Sequence, residues 1–320
     1  MRRLLPVAVS LALLAVIWWR LEPASLRAVV AATRPGWLAV SLAMAVPLTL
    51  LTALRLQQLA PRSAALGFGE ANRLILAASV LNMVLPSKMG DLAKAWFMRR
   101  RGGLEASSAL ALVVFEKGCD LLSLLVWCVL GLALYPRKDA LFWALAGAVG
   151  VGLATGVLML GSRAAARAFF RLAGTLVPRG SRDRVARLQT AWDETLRRLR
   201  ADRPGLARVG ILSLFLWFLH LLQIWLFVLA LGAWTPFLAN LALAPLAILA
   251  GLLPFTFAGV GTRDAALVAL YRPYMTAATA AVLGLLCTSR YLLPALAGLP
   301  LLGGYLSAPR EAENAAPPAA

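Results

Sequence analysis

Ionisable side chains that interrupt a lipid-like sequence are where chemistry is expected, because a membrane interior tolerates charge only where protein buries it or a wet cavity receives it. Three segments and one isolated residue do this. Asn82 to Asp91 (NMVLPSKMGD) stops an apolar run at Pro86 and follows it with Ser87, Lys88, Gly90 and Asp91; Lys94 and the cluster Arg99, Arg100 and Arg101 come next. Phe115 to Asp120 (FEKGCD) puts Glu116 and Asp120 one helical turn apart, on one face, with Lys117 alongside. Leu253 to Asp264 (LPFTFAGVGTRD) breaks a second apolar run and ends in Gly259, Gly261, Arg263 and Asp264. Arg290 lies deep within the last apolar run, too far from either end to snorkel easily.

At each break a helix is expected to restart, near Ser87 and near Thr262, both suitable N-caps. Helix N-termini carry unpaired N–H donors and partial positive charge. Two of them beside Lys88 and Arg263 would hold a phosphate or another anionic head group, with Gly90, Gly259 and Gly261 allowing close backbone approach. The plainer account is that Asp91 and Asp264 stabilise helix starts while the cations snorkel; the repetition of the arrangement favours binding. Glu116 and Asp120 need partners among Lys88, Lys94, Arg263 and Arg290, forming either a network that holds a head group or relays protons, or a structural ion-pair cluster. Arg290 is expected to meet Asp264, Asp120 or a substrate phosphate.

The surrounding elements set this chemistry in a bilayer. Of 320 residues 61% are hydrophobic, mean hydropathy is +0.78, and several runs reach the roughly 20 residues that a spanning helix needs. The formal charge of +18 sits mostly in short loops beside these runs, which is the positive-inside pattern; anionic lipid is its expected neighbour and nucleic acid is not. Cys119, Cys128 and Cys287 lie in apolar context without paired spacing, His220 is the sole histidine, and no nucleotide-binding or zinc-protease motif occurs. No metal and no cofactor are therefore expected.

In chain order, Leu4 to Trp19 is expected as an uncleaved first span, since no A-x-A site follows and Trp18 and Trp19 suit an interface. Glu22 to Gly36 suits a short interfacial helix. Trp37 to Leu54 spans with a kink at Pro47, and Arg55 and Arg62 mark its cytoplasmic exit. Asn72 to Leu85 is short with basic residues on both sides, and so reads as re-entrant. Ser107 to Tyr135 and Leu141 to Leu160 span. Between Arg163 and Arg208 stand twelve basic and four acidic residues, with Val185, Leu188, Trp192, Leu196 and Leu199 at helical steps, so one amphipathic helix is expected on the membrane or on the bundle. Leu206 to Leu231 spans, Asn240 to Leu253 is again short, and Thr276 to Leu306 is a final span kinked at Pro294 and Pro300. The tail from Ser307 has a disordered composition.

The segments N-x-x-L-P-S-K-M-G-D (Asn82 to Asp91), F-E-K-x-x-D (Phe115 to Asp120) and L-P ending in A-G-V-G-T-R-D (Leu253 to Asp264) resemble the flippase-like membrane domain of bacterial lysylphosphatidylglycerol synthases, which has stand-alone, hopanoid-associated relatives. Members usually carry Arg and Glu at Lys88 and Asp91, Arg at Lys117 and Glu at Asp264; each change keeps the charge but exchanges a bidentate guanidinium for an ammonium at two positions. Nothing after Leu306 suits a soluble aminoacyl-transferring domain, so the resemblance implies lipid translocation rather than lipid aminoacylation, and no catalytic residues.

The resulting expectation is an all-α polytopic inner-membrane protein of about six spans plus two re-entrant hairpins in an inverted repeat, both termini cytoplasmic. One domain covers residues 1–306, with halves of about 1–160 and 206–306 joined by the basic loop 161–205. The candidate substrate-binding residues are Asn82, Ser87, Lys88, Gly90, Asp91, Glu116, Lys117, Asp120, Gly259, Gly261, Arg263, Asp264 and Arg290. Membrane lipids with anionic or zwitterionic head groups are the expected partners, with a lipid-biosynthesis enzyme as a further one. An intramembrane lipid-modifying enzyme and a non-catalytic subunit of such a system remain the alternatives.

Overall fold

The computed structural model describes residues 15, 23–61, 64, 66–84, 90–102, 104–135, 138–178, 182–252 and 260–306. Among the described residues every regular element is a helix: α1 (Pro23–Ala31), α2 (Pro35–Ala43), α3 (Ala45–Leu59), α4 (Phe68–Val84), α5 (Gly90–Gly102), α6 (Ala106–Leu134), α7 (Ala140–Gly161), α8 (Arg163–Leu176), α9 (Arg182–Ala201), α10 (Arg203–Ala230), α11 (Phe237–Gly251), α12 (Thr262–Leu270), α13 (Ala277–Ser289) and α14 (Leu292–Leu306). The expected first span lies, but for Ala15, outside the described residues, as does the tail from Ser307.

Among the described residues four stretches are long and apolar enough to cross a bilayer: Pro35–Leu59, Phe142–Gly161, Arg203–Ala230 and Ala277–Tyr305. They coincide with four expected spans. Helix α6 has 29 residues and carries its charges in its first half. The chain is a polytopic helical membrane protein.

Proline decides where two of these stretches break. Pro47 lacks an N–H and its ring collides with the carbonyl four residues back, on Ala43; α2 ends there and α3 begins at Ala45. Pro294 makes the same demand of Arg290, just beyond the end of α13 and just before α14. The last run, expected as one kinked span, is thus two helices with Arg290 at the joint, whereas Pro300 stays inside α14.

Each short apolar helix pairs with its successor, α4 with α5 and α11 with α12. One apolar core joins α3, α4, α5, the first half of α6, α8, α9 and Tyr305 of α14; the other joins the second half of α6 with α1, α10, α11, α12 and α13. These two helix pairs, the two hairpins, pack on opposite halves of α6. Each leans on the long segment of the other half. A Cβ on Gly131 of α6 would fall 2.3 Å from the Ala242 carbonyl oxygen of α11, and one on Gly298 of α14 would fall 2.1 Å from the Leu76 carbonyl oxygen of α4. Small residues of this kind let helix backbones touch in lipid, where hydrophobic exclusion supplies no driving force.

The basic stretch forms two helices rather than the expected one. Ser162, an extended residue whose hydroxyl accepts from the Ala165 N–H, ends α7 and starts α8. On α9 the buried residues Ala191, Trp192, Leu196 and Leu199 face the bundle, which settles the choice that its periodicity left open. Arg198 and Arg200 donate to the carbonyls of Leu59 and Leu160, tying α9 to the C-terminal ends of α3 and α7, where cations also suit the helix dipole.

Because the atoms opposite Gly131 and Gly298 are backbone and cannot swing aside, Gly131→Leu and Gly298→Leu should each cost at least the ~1–3 kcal/mol of core overpacking. Thermal unfolding in detergent should show a lowered midpoint for both and none for Gly147→Leu, where a Cβ meets nothing within 4 Å.

Candidate functional site

Arg55 on α3 was expected to mark a cytoplasmic exit, but α3 continues past it to Leu59 and buries it, with 1% of its surface exposed. A buried guanidinium needs carboxylates, and α6 supplies two: Asp120 Oδ1 at 2.6 Å and Glu116 Oε1 at 3.5 Å. The second oxygen of Glu116 accepts from Lys94 Nζ of α5 at 2.6 Å, and that of Asp120 from Lys117 Nζ at 3.2 Å. Asp91, one turn before Lys94, completes the set, with Oδ1 3.5 Å from Lys94 and Oδ2 3.0 Å from Lys117.

These contacts close into a ring, Arg55–Asp120–Lys117–Asp91–Lys94–Glu116, in which cation and anion alternate and each carboxylate bridges two cations through different oxygens. Three positive and three negative groups cancel. Arg55, Lys94 and Glu116 form a sealed edge, whereas the Lys117 side chain is 43% exposed and lies with Asp120 and Asp91 on an open edge. Ser213 of α10 adds a hydroxyl 3.3 Å from Arg55 Nη1. Of the partners expected for Glu116 and Asp120, Lys94 takes that role for Glu116 alone, and Asp120 is met by Lys117 and by Arg55, which was missed. The signal for it was present in the apolar residues Leu56 and Leu59, which carry the helix beyond it.

The first break is held shut by two candidate residues. A Cβ on Gly90 would fall 2.4 Å from the Asn82 backbone nitrogen, so only glycine lets α5 begin against α4. The Asn82 Oδ1 accepts from the Asp91 N–H at 3.2 Å. Ser87 and Lys88 lie outside the described residues, and so does Gly259 at the second break.

At that second break the helix starts differently from expectation. Gly261, at φ 101°, is the N-cap, and Thr262 is the first helical residue; the left-handed backbone there is open to glycine and costly for threonine. Asp264 Oδ2 accepts from the Gly261 N–H at 2.9 Å. Its Oδ1 accepts from Arg263 Nη2 at 2.7 Å, and Arg263 Nη2 also donates to the Gly284 carbonyl and the Thr288 hydroxyl, each at 2.8 Å. Gly284 is required here, since a Cβ would fall 2.5 Å from Asp264 Oδ1.

Arg290, at the joint of α13 and α14, is 7% exposed. Its Nη2 donates to the Tyr291 hydroxyl at 2.9 Å, and its Nε and Nη1 have no acceptor among the described residues. Neither expected carboxylate reaches it: Asp264 is engaged by Arg263 and Gly261, and Asp120 by Arg55 and Lys117. The charged residues expected in a single cavity thus fall into two groups, the ring on α3, α5 and α6 and, on the α12 to α14 side, the Arg263–Asp264 pair together with Arg290, which no described hydrogen bond or ion pair joins to that pair. Among the described residues no ion pair joins them. None of the described His, Cys, Asp and Glu residues cluster so as to hold a metal ion. An open cleft of about 840 Å³ lies at the second hairpin's end, with Leu134, Leu238 and Leu243 as apolar lining and Arg272 and Tyr274 as polar members.

The family model described as lysylphosphatidylglycerol synthase TM region matches residues 3–298, a range that includes both hairpins, the ring and Arg290. No curated protein and no solved structure matches the chain.

Removing one member of a buried ion pair strands the other, at about 3–5 kcal/mol, while replacing both by apolar groups is close to neutral. Lys94→Met should therefore lower the melting midpoint sharply, and Lys94→Met combined with Glu116→Met should recover most of the loss in a thermal-unfolding cycle. Additive losses would show that the two charges do not act as a pair.

Proposed function

The chain belongs to the lysylphosphatidylglycerol synthase TM region family, and on that premise we propose that it is a lipid flippase of the bacterial inner membrane. It moves an amphipathic lipid between leaflets and leaves its covalent structure unchanged. The observation that carries this reading is Arg290: a buried guanidinium with two nitrogens lacking acceptors, beside the start of a helix, in a bundle whose other described buried charges are already paired. A phosphate suits it, since guanidinium binds phosphate oxygens through two parallel N–H donors.

The charged ring offers no net charge and is the gate rather than the binding group. Its open edge can exchange one Lys117 contact for a phosphate oxygen, while its sealed edge keeps α3, α5 and α6 together. The aliphatic part of the lipid stays among the acyl chains, and the apolar cleft beside Arg272 receives it at the far end. Phospholipids, lipid-linked precursors and hopanoid-type lipids with a charged head are the substrate classes in view. The basic residues of α8 and α9 favour placing their own end of the bundle, opposite the Arg272 cleft, in the cytoplasm, and both chain termini with it.

Arg290→Gln should slow transfer of head-group-labelled phospholipid in proteoliposomes by at least tenfold, about the 1.4 kcal/mol that one charge-assisted hydrogen bond supplies. Arg290→Lys should retain part of the rate, because an ammonium keeps the charge and loses the fork. Transfer by Arg290→Gln at the wild-type rate would contradict the proposal, and a chemically altered lipid in wild-type vesicles would favour an intramembrane enzyme instead.

A further inference from the structure

Helix α8 carries three distinct faces. Ala166 and Phe170 are buried, with the Phe170 ring 6.2 Å from the Trp192 ring of α9, so one face holds the helix to the bundle. Arg163, Arg167 and Arg171, at steps of four, form an exposed second face. Phe169, Leu172 and Leu176 form a third. They are among the chain's exposed apolar side chains, with Leu172 at 60% and Leu176 at 78%. At 3.6 residues per turn, Arg167 and Leu176 point in opposite directions.

Two observations identify what covers the apolar face. It follows in the chain on α7, which is the least buried of the spanning stretches, exposes Val157 and Leu158 near its end, and stops one extended residue before α8 begins. The arginines, in turn, are not placed to suit the helix dipole, although Arg167 Nε donates to the Arg163 carbonyl at 3.2 Å. Arg163 is its first residue, where a cation opposes the dipole, and its first turn holds no acid. Three guanidiniums without a carboxylate on their own helix call for an external anion, and phosphates are the anions found beside a membrane's acyl chains.

We propose that α8 lies in the membrane surface as an in-plane anchor, with Phe169, Leu172 and Leu176 among the acyl chains and Arg163, Arg167 and Arg171 held by the phosphates of anionic lipid. This is the arrangement of amphipathic interfacial helices, whose binding adds buried apolar area to attraction for anionic head groups. The anchor fixes α9 through Phe170 and Trp192, and α9 in turn holds the ends of α3 and α7. It does so whether or not the chain moves lipid.

Nitroxide labels test this in the full chain. Cys119, Cys128 and Cys287 are replaced by alanine, Leu172→Cys or Arg167→Cys is introduced, and the labelled protein is reconstituted in phosphatidylcholine alone or with phosphatidylglycerol added. Collisions with oxygen, which concentrates among acyl chains, should exceed those with a water-soluble nickel chelate at position 172, and the order should reverse at 167. Phosphatidylglycerol should deepen position 172 at low salt, and Arg163→Gln with Arg171→Gln should abolish that response. A label at 172 that meets the nickel chelate freely would overturn the proposal, as would one shielded from both reagents, the sign of a protein partner or a second copy. Indifference to phosphatidylglycerol would overturn the anionic-lipid assignment.

Discussion

A charge inside an apolar bundle needs an opposite charge, and this requirement organises the structure around Glu116. Its two oxygens engage Arg55 of α3 and Lys94 of α5, so one carboxylate on α6 ties two other helices to it. Asp120 and Asp91 repeat the bridging and return the chain of contacts to its start through Lys117. Such pairs add little net stability over apolar packing, but they specify which helix faces meet, because any other register leaves a charge stranded. The first hairpin is placed by this ring as much as by its apolar contacts.

The second organising constraint is steric. Each hairpin is short and rests on a long segment of the opposite half, through Gly298 against Leu76 and through Gly131 against Ala242. Since hydrophobic exclusion does not press helices together in lipid, backbone contact of this kind has to do so. These two contacts tie α4 to α14 and α11 to α6.

Much of this was legible from residue order. Hydropathy located the four stretches long and apolar enough to span, Pro47, read as a kink, marks where α2 gives way to α3, and the segments ending in Asp91 and Asp264 lead into α5 and α12. The motifs pointed to the family whose model matches residues 3–298. What escaped depended on distance in space. Arg55 read as an interface marker, because nothing local shows that Glu116 and Asp120, sixty residues away, turn towards it. The single charged cavity became two groups for the same reason: sequence shows charge but not which elements bring charges together. The cap at Gly261 in place of Thr262 follows from a backbone angle that residue type only permits. Helix α8 was missed because its apolar residues are fewer than the arginines and alanines among them. Ser87, Lys88 and Gly259 belong to the breaks themselves and lie outside the described residues.

The central functional claim is that a lipid phosphate completes the coordination of Arg290. The most direct measurement is a phosphorus–nitrogen distance by solid-state NMR in proteoliposomes, with nitrogen-15 in arginine side chains and the Arg290→Lys chain assigning the signal. The account predicts phosphorus within about 4 Å of an Arg290 nitrogen, the separation that follows from a guanidinium hydrogen bond to a phosphate oxygen, in vesicles of phospholipid alone. A signal at the surface arginines with none lost on Arg290→Lys would contradict it, leaving Arg290 as a buried cation with no lipid partner.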